Sequence, residues 1–141
     1  MRAAVVDASV AVKWVVQEAH SDKAALLLAC DTLHAPDHWQ AEAVNVLWAK
    51  SYHGDLSPED AEERMILLLR APVAGAPIAG LMARAFAIST MRQVTIYDSL
   101  YLALAERLEV PMVTADERLL RSLAPDATLA ERAVWVGDLT P

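Results

Sequence analysis

Apolar residues in this chain fall into two kinds of stretch: runs of three or four that stop at a polar corner, and longer segments where they recur at helical spacing. The short runs Ala3-Ala4-Val5-Val6, Leu33-His34-Ala35, Met112-Val113-Thr114 and Ala133-Val134-Trp135-Val136 predict buried strands. The longer pattern predicts helices over Val10 to Val16, Ser21 to Cys30, His38 to about Tyr52, Ser57 to Arg70, Ile78 to Met91, Thr95 to Leu108 and Glu117 to Leu123. Their starts are marked by Ser21, by Ser57-Pro58-Glu59-Asp60 and by the capping-box run Thr95-Ile96-Tyr97-Asp98. Inward faces are expected at Trp39, Ala43, Val46, Leu47 and Trp48, at Met65, Ile66, Leu68 and Leu69, and at Leu81, Ala85 and Ile88. Pro72 to Pro77, with Gly75 inside it, predicts at best a weak edge strand. The alternation of elements predicts an α/β fold of three layers, α/β/α, with a central parallel sheet of four to five strands and helices on both faces.

That architecture has a chemical consequence. In a parallel sheet the crossover helices run antiparallel to the strands, so strand ends and helix starts share one edge. Asp7 and Asp116 follow strands, while Glu42 and Asp98 lie in the opening turns of helices, and all four should meet there. Singly, each has an ordinary reading: Asp7 or Ser9 as an N-cap, Asp98 as half of a capping box, Glu42 as a solvated glutamate sharing its face with His38 and Asn45. Together they do not. Two carboxylates about 4 Å apart repel by roughly 4 kcal/mol at an effective dielectric of 20, while a helix N-terminus returns only about 1 kcal/mol. A divalent cation offsets the rest, and an all-oxygen ligand set favours Mg²⁺ or Mn²⁺. Such metals can clamp a phosphodiester and activate a water for in-line attack, so hydrolytic chemistry is expected.

Composition narrows the picture. The 141 residues, 55% of them hydrophobic, suffice for one domain over 1–141 with a real core. Cys30 is the only cysteine, which excludes a disulfide framework and a cysteine zinc site. No apolar run approaches the roughly 20 residues that span a bilayer, and the apolar start before Asp7 is too short for a signal peptide, so a cytoplasmic protein without a membrane partner is expected. A net charge of −7 weighs against non-specific nucleic-acid binding, yet carboxylates that hold cations count as negative in that sum. Lys13 and Arg118 are candidate phosphate contacts, and so RNA contacts if the polymer is RNA, with Lys50, Arg92 and Arg121 behind them. A phosphoacceptor receiver domain would need a lysine late in the chain, and none follows Lys50. A haloacid-dehalogenase phosphatase would need Asp where Ser9 stands, and no P-loop occurs.

Three segments, VVDASVAVKW, APDHWQAEAVNVLW and TIYDSLYLALAERLEVPMVTADERLL, stand in an order and spacing that resemble the PIN-domain proteins, and among them the VapC toxins of toxin–antitoxin pairs. The resemblance implies a PIN-like fold and matches Asp7, Glu42, Asp98 and Asp116 to the family's catalytic, metal-binding acids. It matches Ser9 and Thr114 to polar neighbours that support them. It further implies an endoribonuclease using Mg²⁺ or Mn²⁺, a homodimer, and a cognate VapB-type antitoxin whose tail reaches the acidic pocket. Around Val73-Ala74-Gly75 the chain is a poorer strand than the family's usual one. The alternative on the same fold is an inert PIN-like module that binds RNA or protein without cutting, against which the presence of all four acids argues.

Overall fold

The computed structural model describes residues 1–141. Five strands, β1 (Ala3–Val6), β2 (Thr32–Pro36), β3 (Val73–Ala76), β4 (Met112–Thr114) and β5 (Ala133–Trp135), form one parallel sheet in the order β3-β2-β1-β4-β5. β1 is central, with Ala4 opposite Leu33 of β2 and Val6 opposite Val113 of β4. The chain leaves β1 in one direction toward β2 and β3, then returns to the other side for β4 and β5. The order therefore reverses between β1 and β4, which is where open α/β sheets bind ligands.

Eight helices flank the sheet: α1 (Ala8–Ala11), α2 (Ser21–Ala25), α3 (Trp39–Tyr52), α4 (Pro58–Leu68), α5 (Met82–Arg92), α6 (Ile96–Leu108), α7 (Glu117–Leu123) and α8 (Ala127–Arg132). Right-handed crossovers put α1 to α4 on one face and α5 to α8 on the other, and the helices contact one another within those two groups. α6 is the most deeply set, with Ser99 to Ala105 all buried against β1, β2 and β4. Its buried serine, Ser99, meets Ser89 Oγ of α5 at 2.8 Å.

The expected edge strand forms: Val73 to Ala76 pairs in register with Leu33 to Pro36. Gly75 suits that place because a Cβ there would stand 2.5 Å from Asp37 Oδ1. Several expectations need correction. The first helix is a single α turn followed by a 3₁₀ turn over Val12–Trp14, and the second likewise ends in 3₁₀ turns over Leu26–Ala29. β-branched valines at 10, 12, 15 and 16 explain the first, since crowding at χ1 disfavours a long helix. α8 was not foreseen; Asp126 caps it by accepting from Leu129 N at 3.1 Å. Trp48, Ile66 and Leu69, expected inside, are exposed. α3 and α4 bury only the Trp39/Ala43/Leu47 and Ala61/Leu68 rows, because they pack as an outer pair rather than flat on the sheet.

Candidate functional site

Asp7 ends β1 and sits at the N-cap position of α1, yet its side chain makes no capping bond. It is only 6% exposed and turns toward β4. Its Oδ2 accepts from Ser9 Oγ and from Thr114 Oγ1, each at 2.8 Å. Those hydroxyls are themselves fixed, since Ser9 Oγ accepts from Ala115 N at 3.1 Å and Thr114 Oγ1 from Asp116 N at 3.0 Å. Both hydroxyl protons are thus aimed at Asp7, and the turn after β4 is tied to the turn after β1. Burial pushes the Asp7 carboxyl above its ordinary range; the two hydroxyls pull it back, and Glu42 and Asp116 push it further up.

Asp116 does behave as a cap: its Oδ1 accepts from Arg118 N at 2.9 Å and Leu119 N at 3.2 Å at the start of α7. On α3, one turn into the helix, Glu42 Oε1 accepts from the Tyr101 hydroxyl at 2.7 Å and lies 3.1 Å from His38 Nε2. Burial raises the Glu42 carboxyl, but the His38 and Tyr101 hydrogen bonds outweigh it and the net shift is downward. Burial is also the main reason the Tyr101 hydroxyl is pushed far above its ordinary range, helped by Asp7 and Glu42.

Asp98 opens α6, where Thr95 Oγ1 caps its backbone N–H at 3.1 Å. The expected capping box is therefore present in its Thr95 half. The carboxyl is half-buried and pushed up to about 6, first by burial and then by Asp7, Asp116 and Glu42. All four acids thus lie in one electrostatic neighbourhood, brought there by β1, α3, α6 and the β4–α7 turn. Beside Asp98 and Asp116 opens a cavity of about 210 Å³ lined also by Gln93, Thr95, Arg118 and Ser122.

As placed, no three His, Cys, Asp or Glu side chains are close enough together to enclose a metal ion. The donor set nevertheless suits a hard divalent cation. Asp7 Oδ2, Glu42 Oε1 and Asp116 Oδ1 are held by protein donors, and each carboxylate keeps its other oxygen available.

The two candidate RNA contacts part company. Arg118 lines the acidic cavity. Lys13 is spent inside the fold, donating to Glu18 Oε1 at 3.2 Å and the Ala19 carbonyl at 2.7 Å with a side chain 10% exposed. Lys50 is bound to the same Glu18 at 3.0 Å. Reasoning from sequence overlooked Tyr101, although a tyrosine in the middle of an Ala/Leu-rich helix must find a partner for its hydroxyl if it is buried.

The PIN domain family profile matches residues 4–124. Ribonuclease VapC12 of Mycobacterium tuberculosis is 30% identical over 125 residues, covering 89% of this chain and 95% of its own. Ribonuclease VapC9 of the same organism is 32% identical over 115 residues, covering 82% and 87%. In fold the chain is similar to PAE2754 from Pyrobaculum aerophilum, with a TM-score of 0.70 and 24% identity over 95% of this chain and 89% of the other. With its central parallel sheet, its acids at the point of strand-order reversal and relatives aligned along most of its length, the chain belongs to the PIN-domain family.

Proposed function

We propose that this protein is a ribonuclease of the VapC type, the toxin of a toxin–antitoxin pair, that hydrolyses RNA phosphodiester bonds at the acidic edge of its sheet with Mg²⁺ or Mn²⁺. The observation that carries the reading is the convergence of Asp7, Glu42, Asp98 and Asp116, each with an oxygen to spare, in a chain whose relatives are named ribonucleases. Asp7, Glu42 and Asp98 would hold the principal cation directly or through water, and Asp116 would complete that centre or a second one. A divalent cation, when bound, neutralises the phosphate and lowers the pKa of the attacking water. Ser9 supports the centre from behind, donating to Asp7 Oδ2 and accepting from Ala115 N. Water gives up a proton to solvent as it adds to phosphorus, the bond to the leaving oxygen breaks, and that oxygen takes a proton from solvent. No covalent enzyme intermediate forms.

The same proposal includes a homodimer and a VapB-type antitoxin partner. Its support is apolar surface the monomer leaves uncovered: Trp48 and Tyr52 stacked on α3 at 5.4 Å, Ile66 and Leu67 on α4, and Phe86 on α5. No helix is long and apolar enough to cross a membrane, and we place the protein in the cytoplasm, with its RNA. The test is cleavage of single-stranded RNA by the purified, antitoxin-free protein in Mn²⁺, beside EDTA and Asp98→Asn. Cleavage that requires metal and falls by at least a hundredfold in a folded Asp98→Asn variant is expected. Metal-dependent RNA binding with no cleavage across varied RNAs would replace the nuclease with a binding module.

A further inference from the structure

Glu42 is the only one of the four acids whose carboxylate is gripped by a side chain of the opposite helix layer. Tyr101 comes from α6 and is fully buried; its hydroxyl reaches Glu42 Oε1 at 2.7 Å. His38 precedes α3, packs its ring 5.0 Å from that of Tyr101, and brings Nε2 to within 3.1 Å of the same oxygen and 3.2 Å of the Tyr97 carbonyl. A carbonyl and a carboxylate can only accept, so Nε2 carries the hydrogen and serves both. His38 Nδ1 is buried without a partner, so the ring is held by Nε2 and by packing alone. Both donors converge on Oε1, and Oε2 is left over.

From this arrangement we infer that Tyr101 and His38 are positioning residues for the cation: they lock Glu42 by Oε1 so that it offers Oε2 alone. The inference rests on the metal-dependent reading above and adds to it the residues that set how Glu42 takes part. Free in a solvated turn, Glu42 would sample several rotamers and swing either oxygen, or both, toward the centre. Gripped by two donors it meets a cation, or a water on that cation, in one pose. Hydrogen bonds from such outer residues to metal-binding carboxylates typically contribute 10- to 100-fold in affinity or activity. Tyr101 also bridges α6, which carries Asp98, to α3, which carries Glu42. The two acids from opposite faces of the sheet are therefore kept in register by one phenol.

The test is Mn²⁺ affinity measured by calorimetry, without RNA, on the full chain. Tyr101→Phe keeps the ring and removes the donor, and it should weaken Mn²⁺ binding by about 10- to 100-fold. His38→Ala should weaken it in the same direction, while His38→Gln, which presents an amide N–H near the place of Nε2, should recover most of the loss. In a Glu42→Gln background Tyr101→Phe should change nothing further, because the phenol acts through the carboxylate; a general structural role would still show there. Wild type that binds Mn²⁺ with Tyr101→Phe and His38→Ala within twofold of it overturns the inference and leaves the nuclease reading standing. Wild type that binds no Mn²⁺ overturns both. If Tyr101→Phe does not fold, the His38 pair decides the matter by the same criteria.

Discussion

Asp98 shows most plainly how a residue that could have been a cap becomes something else. Thr95 already caps its N–H, so replacing the carboxyl with an amide forfeits no capping bond. The folded carboxyl titrates near 6 against an ordinary value of 3.8, from burial and then from the charges of Asp7, Asp116 and Glu42. The native state therefore binds the proton more tightly than the unfolded chain does, and stability falls as pH rises from about 4 to about 6 and levels off above it. In EDTA, Asp98→Asn should be more stable than wild type at pH 7, and the gap should open across that window. Urea denaturation at pH 4, 5, 6 and 7 measures it, and a gap independent of pH would show that the carboxyl is not the source. Asp7 differs in kind: taken alone the sequence offers it as an N-cap, whereas in the fold its side chain caps no backbone N–H and instead accepts from the hydroxyls of Ser9 and Thr114, the two residues the family resemblance had matched to supporting neighbours.

Elements explain which parts of the site could be read from sequence and which could not. Strand ends and helix starts share an edge by necessity, so Asp7, Glu42, Asp98 and Asp116 could be grouped from periodicity alone. The grip on Glu42 could not, because Tyr101 lies 59 positions away and crosses from one helix layer to the other. Local patterns also failed where the competing signal was weak. The 3₁₀ ending of α1 follows from its β-branched valines, which a hydrophobic pattern does not distinguish from good helix formers, and α8 is too short, at six residues, for periodicity to announce. Lys13 and Arg118 look alike as isolated cations, but one lies beside the loop that supplies Glu18 and the other opens α7 at the acidic cavity. Arg118→Ala in an Asp98→Asn background should weaken binding of a labelled single-stranded RNA about equally across sequences. It should also flatten the salt dependence by about 0.7 in log–log slope. Lys13→Ala should leave that slope unchanged, as fluorescence anisotropy between 50 and 200 mM salt, roughly the range where counterion release is read, would report. A slope unmoved by Arg118→Ala would place the RNA backbone elsewhere.

At the scale of the molecule, the acidic edge is a cost that the fold carries until a cation arrives. One core cluster of 32 buried residues holds the five strands and both helix layers together, and that core keeps like charges at the β1/β4 switch point that would otherwise move apart. A ligand that binds only the native state stabilises it by mass action, by about 2.7 kcal/mol at a hundred times its Kd. For a domain of this size that is roughly 5 to 10 °C in melting temperature. Mn²⁺ should therefore raise the melting temperature of the wild type at pH 7 by that amount, and EDTA should reverse it. Asp98→Asn starts higher in EDTA, having lost one repelling charge, and gains little from Mn²⁺, having lost one anionic ligand. The order of stability of the two proteins should invert between EDTA and saturating Mn²⁺. Thermal unfolding of both, at matched pH and ionic strength, checks it. An amide that merely relieved strain would keep its lead in both conditions, and a carboxylate that merely capped a helix would give no lead in either. Inversion needs a group that destabilises the empty fold and binds the cation that fills it.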